Sequence, residues 1–151
     1  MVWGCMTSQG VGYLTRIDAG LDAALYQRIL SDELMETLRW YKLNVKDVVF
    51  QHDNDPKHTA HSTHQWLDDH KFVVLDWPAQ SPDLNPIEHL WSEIKRHLCS
   101  LPVPPTNLDH LWDKVQNIWN AIEVDVCTNL IDTMPQRIKA VIKAKGGYTK
   151  W

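Results

Sequence analysis

Apolar and polar positions alternate through the opening stretch "MVWGCMTSQGVGYLTRI", which predicts two strands around a turn with Ser8, Gln9 and Gly10 at its tip. The period then lengthens. Leu25, Ile29, Leu30, Leu34, Leu38 and Tyr41 recur at helical spacing in "DAGLDAALYQRILSDELMETLRWYKL", so one long amphipathic helix is expected there. "VKDVVFQH" follows with a nearly continuous apolar centre, the mark of a short strand covered on both faces, and "KFVVLDWP" repeats it before stopping at Pro78. Between these strands, Asp55 and Pro56 supply an N-cap and a first-turn proline for a helix with Trp66 and Leu67 on a later turn. The loop "AQSPDLNP" leads to a helix starting near Pro86. Pro102, Pro104 and Pro105 then break the chain, and helix resumes from Leu108 to about Ala144, with Pro135 near the start of its last segment. "KGGYTKW" reads as a turn and tail.

Strands alternating with helices predict an α/β domain whose sheet is partly parallel. At 151 residues the chain is long enough for one domain with a real core, read as a core through residue 100 and a helical region with a basic tail from 101 to 151. Ordinary apolar and charged fractions exclude a disordered chain. Eight tryptophans point to large side chains packed between layers, or to a surface that meets a partner. Cys5, Cys99 and Cys127 are too few and too far apart for a disulfide framework or a zinc ribbon. With no signal peptide and no membrane-spanning apolar run, an intracellular setting is expected, cytosol or nucleus.

The net charge of −4 argues against a chain wholly devoted to phosphate backbones. Its distribution is uneven. From Pro135 to Trp151 the charges are Arg137, Lys139, Lys143, Lys145 and Lys150, all positive, which leaves −9 on the first 134 residues. Such asymmetry can seat nucleic acid, or can be the solvated face of a terminal helix.

In a parallel α/β sheet, ligands gather beyond the carboxyl ends of the strands. Asp53 directly follows one such strand and Glu88 lies in the first turn of the helix after the next. Paired carboxylates suit a hard cation such as Mg²⁺ or Mn²⁺, able to assist phosphoryl transfer. A purely structural account is also open. Asn85, Pro86 and Glu88 fit a capping box, and Asp53 could be a turn residue. His61 and His64, one turn apart, have a metal-pair spacing but fall on a helix face expected to be solvated, and Trp91 is expected in the core.

"FQHDNDPKHTA" and "LDWPAQSPDLNPIEHLW" together resemble the catalytic core of DDE transposases of the mariner superfamily, in the branch whose third carboxylate is Glu. Thirty-four residues, 54 to 87, separate the two acids, which is the spacing of that branch. The resemblance extends to "VWG", "LYQRIL" and "MPQRIKAVIKAKGGYTKW", nearly the whole chain. It implies an RNase H-like fold, with Asp53 and Glu88 as catalytic residues holding two Mg²⁺ or Mn²⁺ ions in the intact family site. The implied activity is cutting and joining of double-stranded DNA at transposon ends, in the nucleus, by a protein able to form a homodimer. Asn54 and His58 occupy motif positions that would order the acids or the DNA, and Lys57, Arg137, Lys139 and Lys143 are candidate phosphate contacts.

The family's first carboxylate sits on a strand upstream of the "VWG" hairpin, and Asp18, Asp22 and Asp47 are not natural substitutes for it. The family's upstream helix-turn-helix region has no counterpart in these residues either. The expectation is therefore a partial catalytic domain lacking its first strand, with exposed sheet edges prone to pairing, and inactive alone. The alternative is a catalytically dead, domesticated or remnant module that binds DNA or a protein partner. A nuclease of the same fold is a third class, disfavoured by the "SPDLNPIE" loop.

Overall fold

The structure, a computed structural model, describes residues 1–147 and 149–151, so Tyr148 of the expected tail lies outside the described residues. Strands β1 (Val2–Thr7) and β2 (Gly10–Arg16) form the expected hairpin. Gly10 opens β2 at φ 132°, a backbone angle that glycine adopts without a Cβ clash.

The long helix is continuous but not uniform. Helix α1 (Ala23–Ile29) passes through a π-helical turn, Leu30–Leu34, into α2 (Met35–Trp40). Asp22 caps α1 by accepting from the Leu25 amide at 2.8 Å. The expected apolar stripe is largely the buried one, with Tyr26, Ile29, Leu30, Leu34 and Leu38 all under 7% exposed. Thr37, also buried, accepts from the Tyr13 amide at 2.9 Å and donates to the Glu33 carbonyl at 2.8 Å.

The two later strands differ from expectation. Val45–Asp47 is a 3-10 turn, β3 is only Val49–Phe50, and β4 is only Val73–Val74, pairing in parallel with Val49 opposite Val73. Neither is covered on both faces, because Val49 and Val73 are 61% and 55% exposed. Nothing among the described residues flanks this two-stranded sheet as a third strand. The α/β class with a parallel portion holds; the doubly buried strands do not.

Helix α3 (His61–Asp69) starts at His61, not at Pro56. Asp55 therefore caps a separate turn, its carboxylate accepting from the Lys57 amide at 3.0 Å and its carbonyl from the His58 and Thr59 amides. Buried Thr63 on α3 ties that turn down by donating to the Lys57 carbonyl at 2.9 Å. Helices α4 (Ile87–Cys99), α5 (Leu108–Asn120), α6 (Val124–Asp132) and α7 (Met134–Lys143) follow, with Pro135 at the start of α7 as expected.

Two compact units result: residues 1–4 with 12–80, and residues 5–11 with 81–151. In the first, α1 packs on α3 around Tyr26, Leu30 and Leu67. In the second, α4 packs on α5, where Trp91 stacks on the fully buried Trp119 with ring centroids 5.1 Å apart. No helix among the described residues is long and apolar enough to cross a membrane.

Candidate active site

Asp53 leaves β3 after two linking residues, and its carboxylate is positioned from nearby in sequence. Its Oδ1 accepts from the Asp55 amide at 3.1 Å and from His58 Nδ1 at 2.6 Å. A carboxylate can only accept, so that nitrogen of His58 carries the hydrogen. The His58 side chain is 15% exposed while that of Asp53 is 60% exposed, so a half-buried donor holds an acid that faces solvent.

His58 is fixed in turn by aromatic packing. Its ring lies 4.1 Å from that of Tyr26 and stacks on His52 at 5.3 Å, and the Tyr26 hydroxyl meets His52 Nδ1 at 3.0 Å. Burial first, and the neighbouring His58 second, lower the pKa of His52 to about 4. His52 is thus a neutral ring near pH 7. Asn54 reaches the other strand's exit, donating to the carbonyl of buried Trp77 at 2.6 Å. Lys57 spans both carboxylate oxygens of Asp55, at 2.7 and 2.8 Å, and these bonds keep the Asp55 pKa below its usual range. Lys57 is accordingly engaged within its own turn.

Glu88, in the second unit, is exposed in the first turn of α4. Pro86, not Asn85, is the boundary residue of α4, and the Glu88 amide donates to the Asn85 carbonyl at 3.2 Å. The turn before it is anchored by buried Leu84 and Pro86.

Arg137 is not a phosphate contact. It is fully buried, donating through Nε to Thr133 Oγ1 at 2.9 Å and through one Nη to the Asp83 carbonyl at 2.8 Å. Its other Nη meets His89 Nδ1 at 3.3 Å, which makes that ring nitrogen an acceptor, since arginine has none. Burial, and then Arg137, lower the His89 pKa. Lys139 and Lys143 are exposed on α7, and His61 and His64 are exposed on α3. Asp18 pairs with Arg16 and the Asp22 side chain caps α1, while Asp47 sits at the end of the 3-10 turn, its amide donating to the Asn44 carbonyl at 2.9 Å. Sequence reading missed Tyr26 and His52. The signal was available, because His52 directly precedes Asp53 and Tyr26 is the aromatic on the buried helix stripe.

The first unit thus groups Asp53, Asn54 and His58, and the second holds Glu88, Lys139 and Lys143. The fold is that of a transposase catalytic domain. The chain superposes on the Mos1 transposase catalytic domain solved with raltegravir and Mg at a TM-score of 0.87 and 24% identity, over 99% of this chain and 76% of that one. It also matches the Mos1 mariner paired end complex with Mn at a TM-score of 0.86 and 25% identity, over 99% of this chain and 44% of that one. This is the RNase H-like architecture the motifs imply. A family profile described as DDE superfamily endonuclease matches residues 2–106. The chain belongs to that family. The Tc1 transposase of Caenorhabditis elegans is 44% identical over 152 aligned residues, covering all of this chain and 54% of the relative. The Tcb2 transposase of Caenorhabditis briggsae is 41% identical with the same coverage. The chain therefore spans about half the length of these two relatives.

Proposed function

We propose that this chain carries the divalent-metal portion of a domain that cuts and joins double-stranded DNA at transposon ends, with Asp53 and Glu88 as ligands. The observation that carries the reading is the state of Asp53, an exposed carboxylate held at one oxygen by a half-buried histidine. The donor chemistry fits. Hard carboxylate oxygens suit Mg²⁺ or Mn²⁺, and such ions are commonly held by one or two carboxylates, completed by water and phosphate oxygens. Among the described residues no three His, Cys, Asp or Glu side chains converge as a self-sufficient metal cage.

A divalent ion, when bound, would lower the pKa of an attacking water or hydroxyl and offset charge on the phosphate. The protein's own share is orientation. His58 and the Asp55 amide fix which oxygen of Asp53 is engaged and leave its other oxygen on the exposed side. Asn54 joins the exits of the two parallel strands through Trp77, so the Asp53 turn moves with the sheet. Mos1 was solved with Mg and with Mn, and as a paired end complex, which supports metal use and DNA as partner here. The nucleus is the compartment such a substrate requires, and a homodimer would suit the pairing of two ends.

The test is Mn²⁺ binding to the purified chain, followed by electron paramagnetic resonance. Asp53→Asn and Glu88→Gln are each expected to weaken binding by about tenfold or more. Undiminished binding in the double variant would remove the metal reading. Nicking of supercoiled DNA by this chain alone is expected to be absent, since Asp18 and Asp22 are engaged locally and Asp47 precedes β3 instead of following a strand's carboxyl end; robust Mg²⁺-dependent nicking lost in Glu88→Ala would contradict that. A second reading, a metal-independent DNA-binding module, is favoured by the exposed Lys139 and Lys143 one turn apart on α7. It requires DNA affinity that survives chelation and falls steeply with salt.

A further inference from the structure

The stretch Ser81–Pro86 that delivers Glu88 has no helix or strand of its own beyond tight turns, in which the Leu84 amide donates to Ser81 and the Asn85 amide to Pro82. Further anchors come from far along the chain. Arg137 holds the Asp83 carbonyl and touches His89, so its two Nη groups grip positions on either side of Glu88. Thr149 Oγ1 donates to Asp83 Oδ2 at 2.8 Å, gripping the same residue by its side chain. The Trp151 ring lies 4.9 Å from the Arg137 guanidinium carbon and its amide donates to Thr149 Oγ1 at 3.4 Å, closing a loop of contacts.

A fully buried guanidinium is expensive to desolvate, and an apolar side chain of similar size would fill the space more cheaply. What an apolar residue cannot do is hold a carbonyl and a ring nitrogen at fixed points five residues before and one residue after Glu88. Arginine's planar fork does this with little further loss of freedom.

We propose that Thr133, Arg137, Thr149 and Trp151 form a brace for the Glu88 turn, and that Arg137 and Thr149 are positioning residues for its carboxylate. The proposal rests on the metal reading of Glu88 given above. It assigns the buried arginine to orientation of a ligand, where its place in a basic tail suggested contact with DNA. Arg137 and Thr149 touch neither metal nor DNA in this role.

The experiment uses the whole 151-residue chain, ¹⁵N-labelled, with Thr149→Val, Thr149→Ser, Arg137→Lys and Glu88→Gln. Thr149 is at the periphery, so its variants test the brace without risking the fold. Without metal, Thr149→Val is expected to speed amide exchange at Leu84, Asn85, Glu88 and His89 by about tenfold, the loss of roughly one hydrogen bond. Exchange at Trp119 in α5 should not change, and Thr149→Ser should restore the wild-type rates. With Mn²⁺ as the probe, paramagnetic broadening at Glu88 should need about tenfold more ion in Thr149→Val and Arg137→Lys. Unchanged exchange at these four amides, or acceleration spread evenly through residues 81–147, would overturn the brace. Broadening at Glu88 that persists undiminished in Glu88→Gln would overturn the metal half alone, leaving the exchange result to decide the brace.

Discussion

Asp53 and Glu88 are both exposed acids, yet the two are held in opposite ways. The Asp53 carboxylate is gripped by residues two and five positions along the chain, and only the backing of His58 by Tyr26 reaches further. The Glu88 turn is gripped by residues 54 and 66 positions beyond Asp83. A locally built site can be carried by a short motif. A remotely built one depends on packing over the whole second unit, so its orientation is more exposed to distant substitutions.

The largest effect is expected from breaking the remote side. Arg137→Met should destabilise the chain by about 3 kcal/mol in urea unfolding, because the Asp83 carbonyl, Thr133 and His89 lose a buried donor together. A change under about 1 kcal/mol would mean that water replaces the guanidinium and that the brace is weak. On the local side, His58→Ala should weaken Mn²⁺ binding by about tenfold while costing under about 1 kcal/mol of stability, since its partner is exposed. A large loss of stability in that variant would erase the contrast between the two acids. Thr63→Val sharpens it further. Removing the hydroxyl that holds the Lys57 carbonyl should cost about 1 kcal/mol and raise amide exchange at His58 and Thr59, with α4 unaffected. The smallest effect is a ranking. Cys99 is exposed, whereas Cys127 is fully buried with its thiol pKa raised by that burial, so iodoacetamide at pH 8 should alkylate Cys99 first. Arg137→Met should narrow the gap if loss of the brace loosens the second unit.

The same division explains what could be read from the chain. The hairpin and the helical stripe through Ile29, Leu30, Leu34 and Leu38 were legible, because each is written in consecutive residues with a period or a turn signal. The strands around Val49 and Val73 were misjudged. Apolar runs report what a strand is suited to, and burial depends on which neighbours flank it. Asp55–Pro56 has the chemistry of a helix start, but an aspartate can close an isolated turn with the same bonds, and only the tertiary bond from Thr63 decides between them. The start of α4 falls one residue later than the motif suggests for a related reason, with buried Leu84 and Pro86 setting its entry. Arg137 was misread because charge is visible in a sequence and burial is not.

The reach of Arg137 and Thr149 back to Asp83 also bears on the order of events during synthesis. Chains emerge from the ribosome at roughly 5–20 residues per second. The Asp53 turn can close as soon as α3 is out, since its donors are already present. The Glu88 turn must wait until residue 149 has emerged, roughly 4 to 16 seconds later at those rates. A nascent chain would therefore hold one ordered acid and one wandering acid, and would gain the second only when translation has passed its C-terminal lysines.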